Sequence, residues 1–157
     1  MIDETPSIDA RKLIIPVFAG TYKRLAPLSY AWLRITLALM YLPGGIDKLF
    51  EGGAARIAAG NITALGYFKP VMVWAWTVAG LEFFGAILLA LGLFTRPVAF
   101  AFVAELLVIA FGIMLPRGAF WTTGGAEVAL LMAFAAIGFV FGGGGRYSVD
   151  RVIGREF

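Results

Sequence analysis

Apolar residues in this chain come in long unbroken runs rather than in stripes. The first runs from about Leu28 to Ile46, the second from about Pro70 to Phe94, the third from Val98 to Leu115, and the fourth from about Phe120 to Phe141. A helix needs about 20 such residues to cross the hydrocarbon of a bilayer. Membrane strands would alternate over about ten residues, and these runs are apolar all round. A membrane helix satisfies its own backbone groups, which lipid cannot do. The pattern therefore predicts an all-α integral membrane protein built as a four-transmembrane-helix bundle. Thr95-Arg96-Pro97 reads as a tight turn and Pro116-Arg117-Gly118 as a break. The glycines at 142–145 read as a helix stop followed by a flexible exit, not as a phosphate loop, because no Gly-Lys-Ser/Thr ending follows.

The one long connection, Asp47 to Lys69, holds an Ala-rich stretch between Gly52-Gly53 and Gly60-Asn61. It predicts a short amphipathic helix at the outer surface, and a connection of this length is a functional candidate. Small residues at Gly125, Ala129, Ala133 and Ala136 form a stripe that admits a close helix neighbour, with Glu127 on nearly the opposite face. Gly85, Leu89 and Gly92 predict a second close contact. No internal repeat of the transporter kind is present.

Composition sharpens the class. Of 157 residues, 61% are hydrophobic and only 15% charged, and mean hydropathy is +0.87. Soluble domains carry about a quarter charged residues. The balance excludes a disordered chain, a nucleic-acid partner and a typical soluble enzyme. There is no Cys and no His. The usual ligands for haem, iron–sulfur, copper and zinc are therefore missing, and no metal, haem or covalently bound cofactor is expected.

Basic residues orient the bundle. Arg11, Lys12, Lys23, Arg24, Arg96, Arg146, Arg151 and Arg155 fall on one side, and Lys48, Arg56, Lys69 and Arg117 on the other. This asymmetry predicts both termini in the cytoplasm and a bacterial inner-membrane location. Tyr30, Trp32, Tyr67, Trp74, Trp76, Trp121 and Tyr147 stand near segment ends, as interfacial aromatics do. Asp3, Glu4 and the short Pro16-interrupted run Leu13–Phe18 argue against a signal peptide. Arg11–Arg24 reads either as a basic segment on the inner membrane surface or as a disordered tail. The chain is thus one transmembrane domain, 1–157. Residues 1–27 form a cytoplasmic or interfacial segment, 28–145 the bundle and 146–157 a cytoplasmic tail.

Ionisable residues inside the spans carry the chemistry, because each costs at least about 2.5–3.5 kcal/mol at mid-bilayer. They are Arg34, Glu82, Glu105 and Glu127, with Asp47 and Lys48 at the outer end of the first helix. At about 1.5 Å per residue, Arg34 lies about 9 Å and Glu105 about 12 Å from the inner boundary. Glu82, Glu127 and Asp47 follow at about 19, 24 and 28 Å. Arg34 and Glu105 share a level, while Lys48 reaches Glu82 only by snorkelling inward. Three readings remain open. Arg34 pairs with Glu105 or Glu82 for structure alone; Glu82 and Arg34 hold a polar head group such as a quinone; or the acids form a proton path.

Four stretches resemble the DoxX family of small four-helix bacterial membrane proteins. They are Leu33-Arg34-Ile35 with Pro43-Gly44-Gly45-Ile46-Asp47-Lys48-Leu49, then Leu65-Gly66-Tyr67-Phe68-Lys69-Pro70. The third is Leu81-Glu82-Phe83-Phe84-Gly85 with Leu91-Gly92-Leu93-Phe94-Thr95-Arg96, and the fourth Gly144-Gly145-Arg146-Tyr147-Ser148-Val149-Asp150. The resemblance covers about Leu28 to Arg151. The Pro43-Gly44 preceding the family's Gly, and Asp47 beside Lys48, depart from it. Arg34, Lys48 and Glu82 match its motifs better than Glu105 and Glu127.

The resemblance implies a left-handed four-helix bundle. It also implies a membrane subunit of a quinone-linked redox complex, since some relatives are subunits of a thiosulfate:quinone oxidoreductase. In that reading Arg34 and Glu82 hydrogen-bond the quinone, Trp74, Trp76 and Phe84 stack on its ring, and the redox centres belong to a partner subunit. The alternatives are a non-catalytic assembly subunit or homo-oligomer, and a small proton or solute transporter.

Overall fold

The computed structural model describes residues 13–66 and 68–155, and among them all regular structure is helical. Expectations placed on Asp3, Glu4, Arg11, Lys12 and Tyr67 lie outside the described residues. The helices are α1 (Ala19–Phe50), α2 (53–65), α3 (Val71–Leu91), α4 (Thr95–Arg117), α5 (Glu127–Gly142) and α6 (Val149–Ile153). The α1 axis bends by 53° between Pro16–Ala26 and Leu28–Phe50. Pro27 stands at that break, and a proline inside a helix removes one ladder hydrogen bond.

Helices α3 and α4, of 21 and 23 residues, are long and apolar enough to cross a bilayer, and the bent α1 pair gives a third candidate. Helix α5 has 16 residues, about 24 Å of rise, short of the length predicted for a fourth span. It starts late because a 3-10 turn at Trp121–Thr123 and a left-handed Gly124 break the apolar run ahead of it. Glu127 therefore sits at the first turn of α5 rather than within a span, and its carboxylate accepts the Trp121 N–H at 3.2 Å. An acidic group there suits the positive end of the helix dipole.

The main core lies between α4 and α5, where Ala99, Phe102 and Leu106 meet Ala129, Ala133 and Ala136. The predicted small-residue stripe is thus buried inside the bundle, where it lets two backbones approach closely. Helix α1 adds Leu37, Ala38 and Tyr41, whose ring stacks on Phe102 at 3.8 Å between centroids. A second cluster joins Ala54, Ala58 and Ile62 of α2 to Ala75 and Ala79 of α3. The expected short helix is present, with Ala54, Ala58 and Ile62 buried against the first half of α3 and Ala55, Arg56 and Ala59 exposed on its other face. Large apolar side chains such as Trp32, Phe100, Leu131, Phe134 and Phe141 cover the outside. This is the surface of a protein that sits in a lipid bilayer.

Gly45 sets the register of α1 against α3. A Cβ there would stand 2.5 Å from the Phe83 nitrogen and 2.8 Å from the Glu82 carbonyl carbon. At the other end of the bundle the glycine run doubles back instead of leaving as a loose exit. The Gly144 carbonyl accepts from Arg34, and a Cβ on Gly144 would meet Ser148 at 2.6 Å and Thr95 Oγ1 at 2.8 Å. Asp150 then accepts from the N–H groups of Phe94 (2.9 Å) and Thr95 (3.0 Å) and from the Thr95 hydroxyl (2.8 Å). It caps α4 and holds Phe94 in a left-handed backbone conformation (φ 51°) that non-glycine residues rarely adopt.

Substituting Gly45→Val should lower the thermal midpoint in detergent by the equivalent of about 1–3 kcal/mol, because the Phe83 backbone cannot yield. Gly80→Ala, in the same helix pair with nothing within 4 Å of the new methyl, should be neutral or stabilising by up to about 1 kcal/mol.

Candidate functional site

A cavity of about 610 Å³ lies between α2, α3 and α4 and the end of α1. Its walls are mainly apolar, from residues such as Leu81, Val108, Ile109 and Met114, with the Ala101 and Ala104 methyls leaving the space open. Three charged residues, Lys48, Glu82 and Glu105, gather at one part of this lining, and Asn61, Thr77 and Arg117 add further polar groups. A mostly apolar enclosure with a few convergent polar groups is the usual form of a small-molecule site.

The charged group is assembled by close helix packing. Lys48 forms an ion pair with Glu82, both side chains being largely buried at 16% and 8% exposure. Gly44, one turn before Lys48, leaves the room: a Cβ there would lie 2.7 Å from the Glu82 Oε2. Glu105 of α4 stands within electrostatic reach of both Glu82 and Lys48. Its two carboxyl oxygens are buried with the Glu82 carboxyl as their hydrogen-bond neighbour, and the Tyr41 hydroxyl nearby is buried without a partner. Buried polar atoms normally find partners, so the Tyr41 hydroxyl points to a ligand or to water.

Three π-helical turns border the cavity, at Ala58–Ile62, Leu81–Gly85 and Ile109–Met114. Each contributes lining residues: Asn61 from the first, Leu81 and Glu82 from the second, Ile109, Ile113 and Met114 from the third. Such turns widen a helix locally and are frequent at functional sites.

The structure divides the residues singled out from sequence. Glu82 and Trp74 line the cavity, and Phe68 meets the Trp74 ring edge-on at 4.9 Å. Trp76 and Phe84 are outside its lining and over half exposed. Arg34, at 2% exposure, is outside it too. Its guanidinium donates to the carbonyls of Gly144, Ala90 (3.3 Å) and Tyr147 (2.7 Å). The expected pairing of Arg34 with Glu82 or Glu105 is therefore replaced by two separate arrangements. Arg34 serves backbone carbonyls at one end of the bundle, and Lys48 takes Glu82. Arg34 stands level with Ala90 in the last turn of α3, whereas Glu105 lies deeper, beside Glu82. Asp47 pairs with Arg56 on the exposed side of the α1–α2 turn, apart from the cavity.

Two features escaped the sequence reading: that Glu105 joins Glu82, and that α4 supplies a whole wall. The only signal for the first was the inward reach of Lys48 to Glu82, which fixes the level of the group.

Removing either member of the Lys48–Glu82 pair leaves a poorly solvated charge. Lys48→Met or Glu82→Leu alone should destabilise the protein by about 3 kcal/mol. The double variant should lose clearly less than the sum of the two, as read by thermal unfolding in one detergent.

The DoxX family profile matches residues 30–115, just over half of the chain. An uncharacterized protein of Haemophilus influenzae is 34% identical over 131 residues, covering 82% of this chain and 92% of that relative. No solved structure matches. The match spans Arg34, Lys48, Glu82 and Glu105, and so includes both the carbonyl-binding arginine and the charged group of the cavity. On this matched span and the full-length relative, the chain belongs to the DoxX family.

Proposed function

We propose that this chain is a membrane subunit of a quinone-linked redox complex, in which the bundle anchors a partner and the cavity between α2, α3 and α4 receives the quinone head group. One observation carries the reading. An apolar, half-open cavity of about 610 Å³ holds a largely buried ion pair with a second carboxyl packed beside it. That combination fits a flat, largely apolar molecule with a polar head. Lys48 is the donor nearest to hand for a carbonyl, Glu82 holds Lys48 in place, and Trp74 with Phe68 supplies an aromatic wall. A quinone brings two-electron chemistry, and with neither Cys nor His in the chain the other redox centres belong to the partner. In this reading α1, α3, α4 and α5 each cross the bacterial inner membrane, and both termini face the cytoplasm. The assembly-subunit reading finds its support elsewhere, in Arg34 and Asp150, whose hydrogen bonds are directed to backbone groups and tie helix ends together.

Two experiments test this. Native mass spectrometry of the full chain, extracted gently from its own membranes, should show a bound quinone and a stoichiometric second chain. Ala104→Trp, which fills the cavity from a wall position, should lose the quinone while keeping helicity and yield. Phospholipid alone in the unsubstituted protein would refute the quinone site. The absence of native Cys makes topology directly testable. A membrane-impermeant maleimide should label Thr123→Cys in intact spheroplasts and Arg155→Cys only after permeabilisation.

A further inference from the structure

The cavity is not closed on every side. Near the Arg34 end α3 and α4 touch: a Cβ on Gly85 would stand 3.1 Å from Phe102 Cζ and 3.5 Å from Val98 Cγ1. Beyond that contact the cavity separates the two helices, with Trp74, Thr77 and Val78 lining it from α3 and Ala101, Ala104 and Val108 from α4. Successive helical residues turn by about 100°. On α3 this sets Thr77 between the lining residues Trp74 and Leu81 on one side and the exposed Val73 and Phe84 on the other. On α4 it sets Ala104 between Ala101 and Val108 of the lining and the exposed Phe100 and Phe111. Thr77 and Ala104 are themselves exposed. The cavity face of each helix therefore runs straight into its outward apolar face, and a small side chain stands at each edge. The Thr77 hydroxyl donates to the Val73 carbonyl at 2.9 Å, so this edge needs no water.

Resting on the quinone reading above, we infer that the cavity fills from the hydrocarbon of the bilayer and not from water, through an opening between α3 and α4 edged by Thr77 and Ala104. Its ligand is then a membrane-dissolved molecule with a polar head and a long apolar chain. The head enters toward the Lys48–Glu82 pair, and the chain trails out past Phe100 into lipid. Depth supports this. Thr77 lies about 9 Å along α3 from Val71, and Ala104 about 14 Å along α4 from Thr95, so both edges fall within the length of the spans. A chain left between the helices exchanges one apolar surrounding for another, whereas a water-borne ligand would have to cross hydrocarbon to reach this opening. Toward α2 the cavity is walled by the Phe68 and Trp74 rings, which meet edge-on at 4.9 Å.

The test is fluorescence quenching with the full chain in liposomes of neutral phosphatidylcholine. Because the chain has no native Cys, a single bimane label can be placed at Phe100→Cys beside the opening, at Ala59→Cys on the exposed face of α2, or at Leu131→Cys on the outward face of α5. The probe is a benzoquinone with a nitroxide at the free end of a decyl chain. The same quinone without the nitroxide serves as competitor and corrects for quenching by the ring. Its binding to each labelled protein, measured by calorimetry, shows that the cavity is intact. The quenching that the competitor removes should be several-fold greater at Phe100→Cys than at either other position. Greatest quenching at Ala59→Cys would overturn the inference, since the chain would then leave toward α2, and would leave the quinone site standing. Equal quenching at all the positions would overturn it as well. If the competitor does not bind even the unsubstituted chain, the proposed function itself fails.

Discussion

Carbonyl groups at helix ends have no partner within their own helix, and in an apolar surrounding water does not supply one. Arg34 answers that constraint for one whole end of this bundle. From α1 it reaches the last turn of α3 through Ala90 and the returning chain through Gly144 and Tyr147. A guanidinium suits the task because its donors are fixed in a plane and its charge persists at any physiological pH. Once that chain segment is held, Asp150 is delivered to the N-terminus of α4. Three helices and the C-terminal segment are thus fastened within a few residues of each other, which leaves the far end of the bundle free to be less tightly filled.

That far end contains the cavity, and its charges obey the same rule with a different outcome. Lys48 and Glu82 neutralise each other, which makes a charge tolerable away from water. Glu105 joins them beside the Glu82 carboxyl. Gly44 and Gly45 are the condition for both facts. One leaves space for the ion pair, and the other brings α1 against the α3 backbone at Phe83. The departure of Pro43-Gly44 from the family's usual pattern therefore falls at the position where the pair is packed.

Much of this was legible in the chain. The helices α3 and α4 follow directly from unbroken apolar runs. The burial of Ala129, Ala133 and Ala136 follows from their spacing, and Lys48 reaches inward as its long side chain allows. Which charges meet was not legible. Counting 1.5 Å per residue from the start of an apolar run assumes that each run begins at one common plane. The helices do not share one plane, and Arg34 stands beside Ala90 of α3 and not beside Glu105. Hydropathy alone puts Glu127 inside a span because it does not register the turn at Trp121–Thr123. Which face of α2 is buried was not legible either, because its alanines look alike in sequence, and only Ala54 and Ala58 are the ones that pack on α3. Trp76 and Phe84 are aromatic like Trp74, but they fall on the outward face of the same helix.

The π turn at Leu81–Gly85 gives α3 one more residue per hydrogen-bonded ring than an ordinary turn holds. Each helical residue advances the azimuth by about 100°, so that single residue rotates one half of α3 against the other. The half before it packs Ala75 and Ala79 on α2, and the half after it packs Ala86 and Leu89 into the main core. A one-residue deletion between 81 and 85 would leave hydropathy and composition almost untouched, yet both halves could no longer face their partners together. Alignment length across this short stretch is therefore a more sensitive marker of a working cavity than the identity of most of the residues that line it.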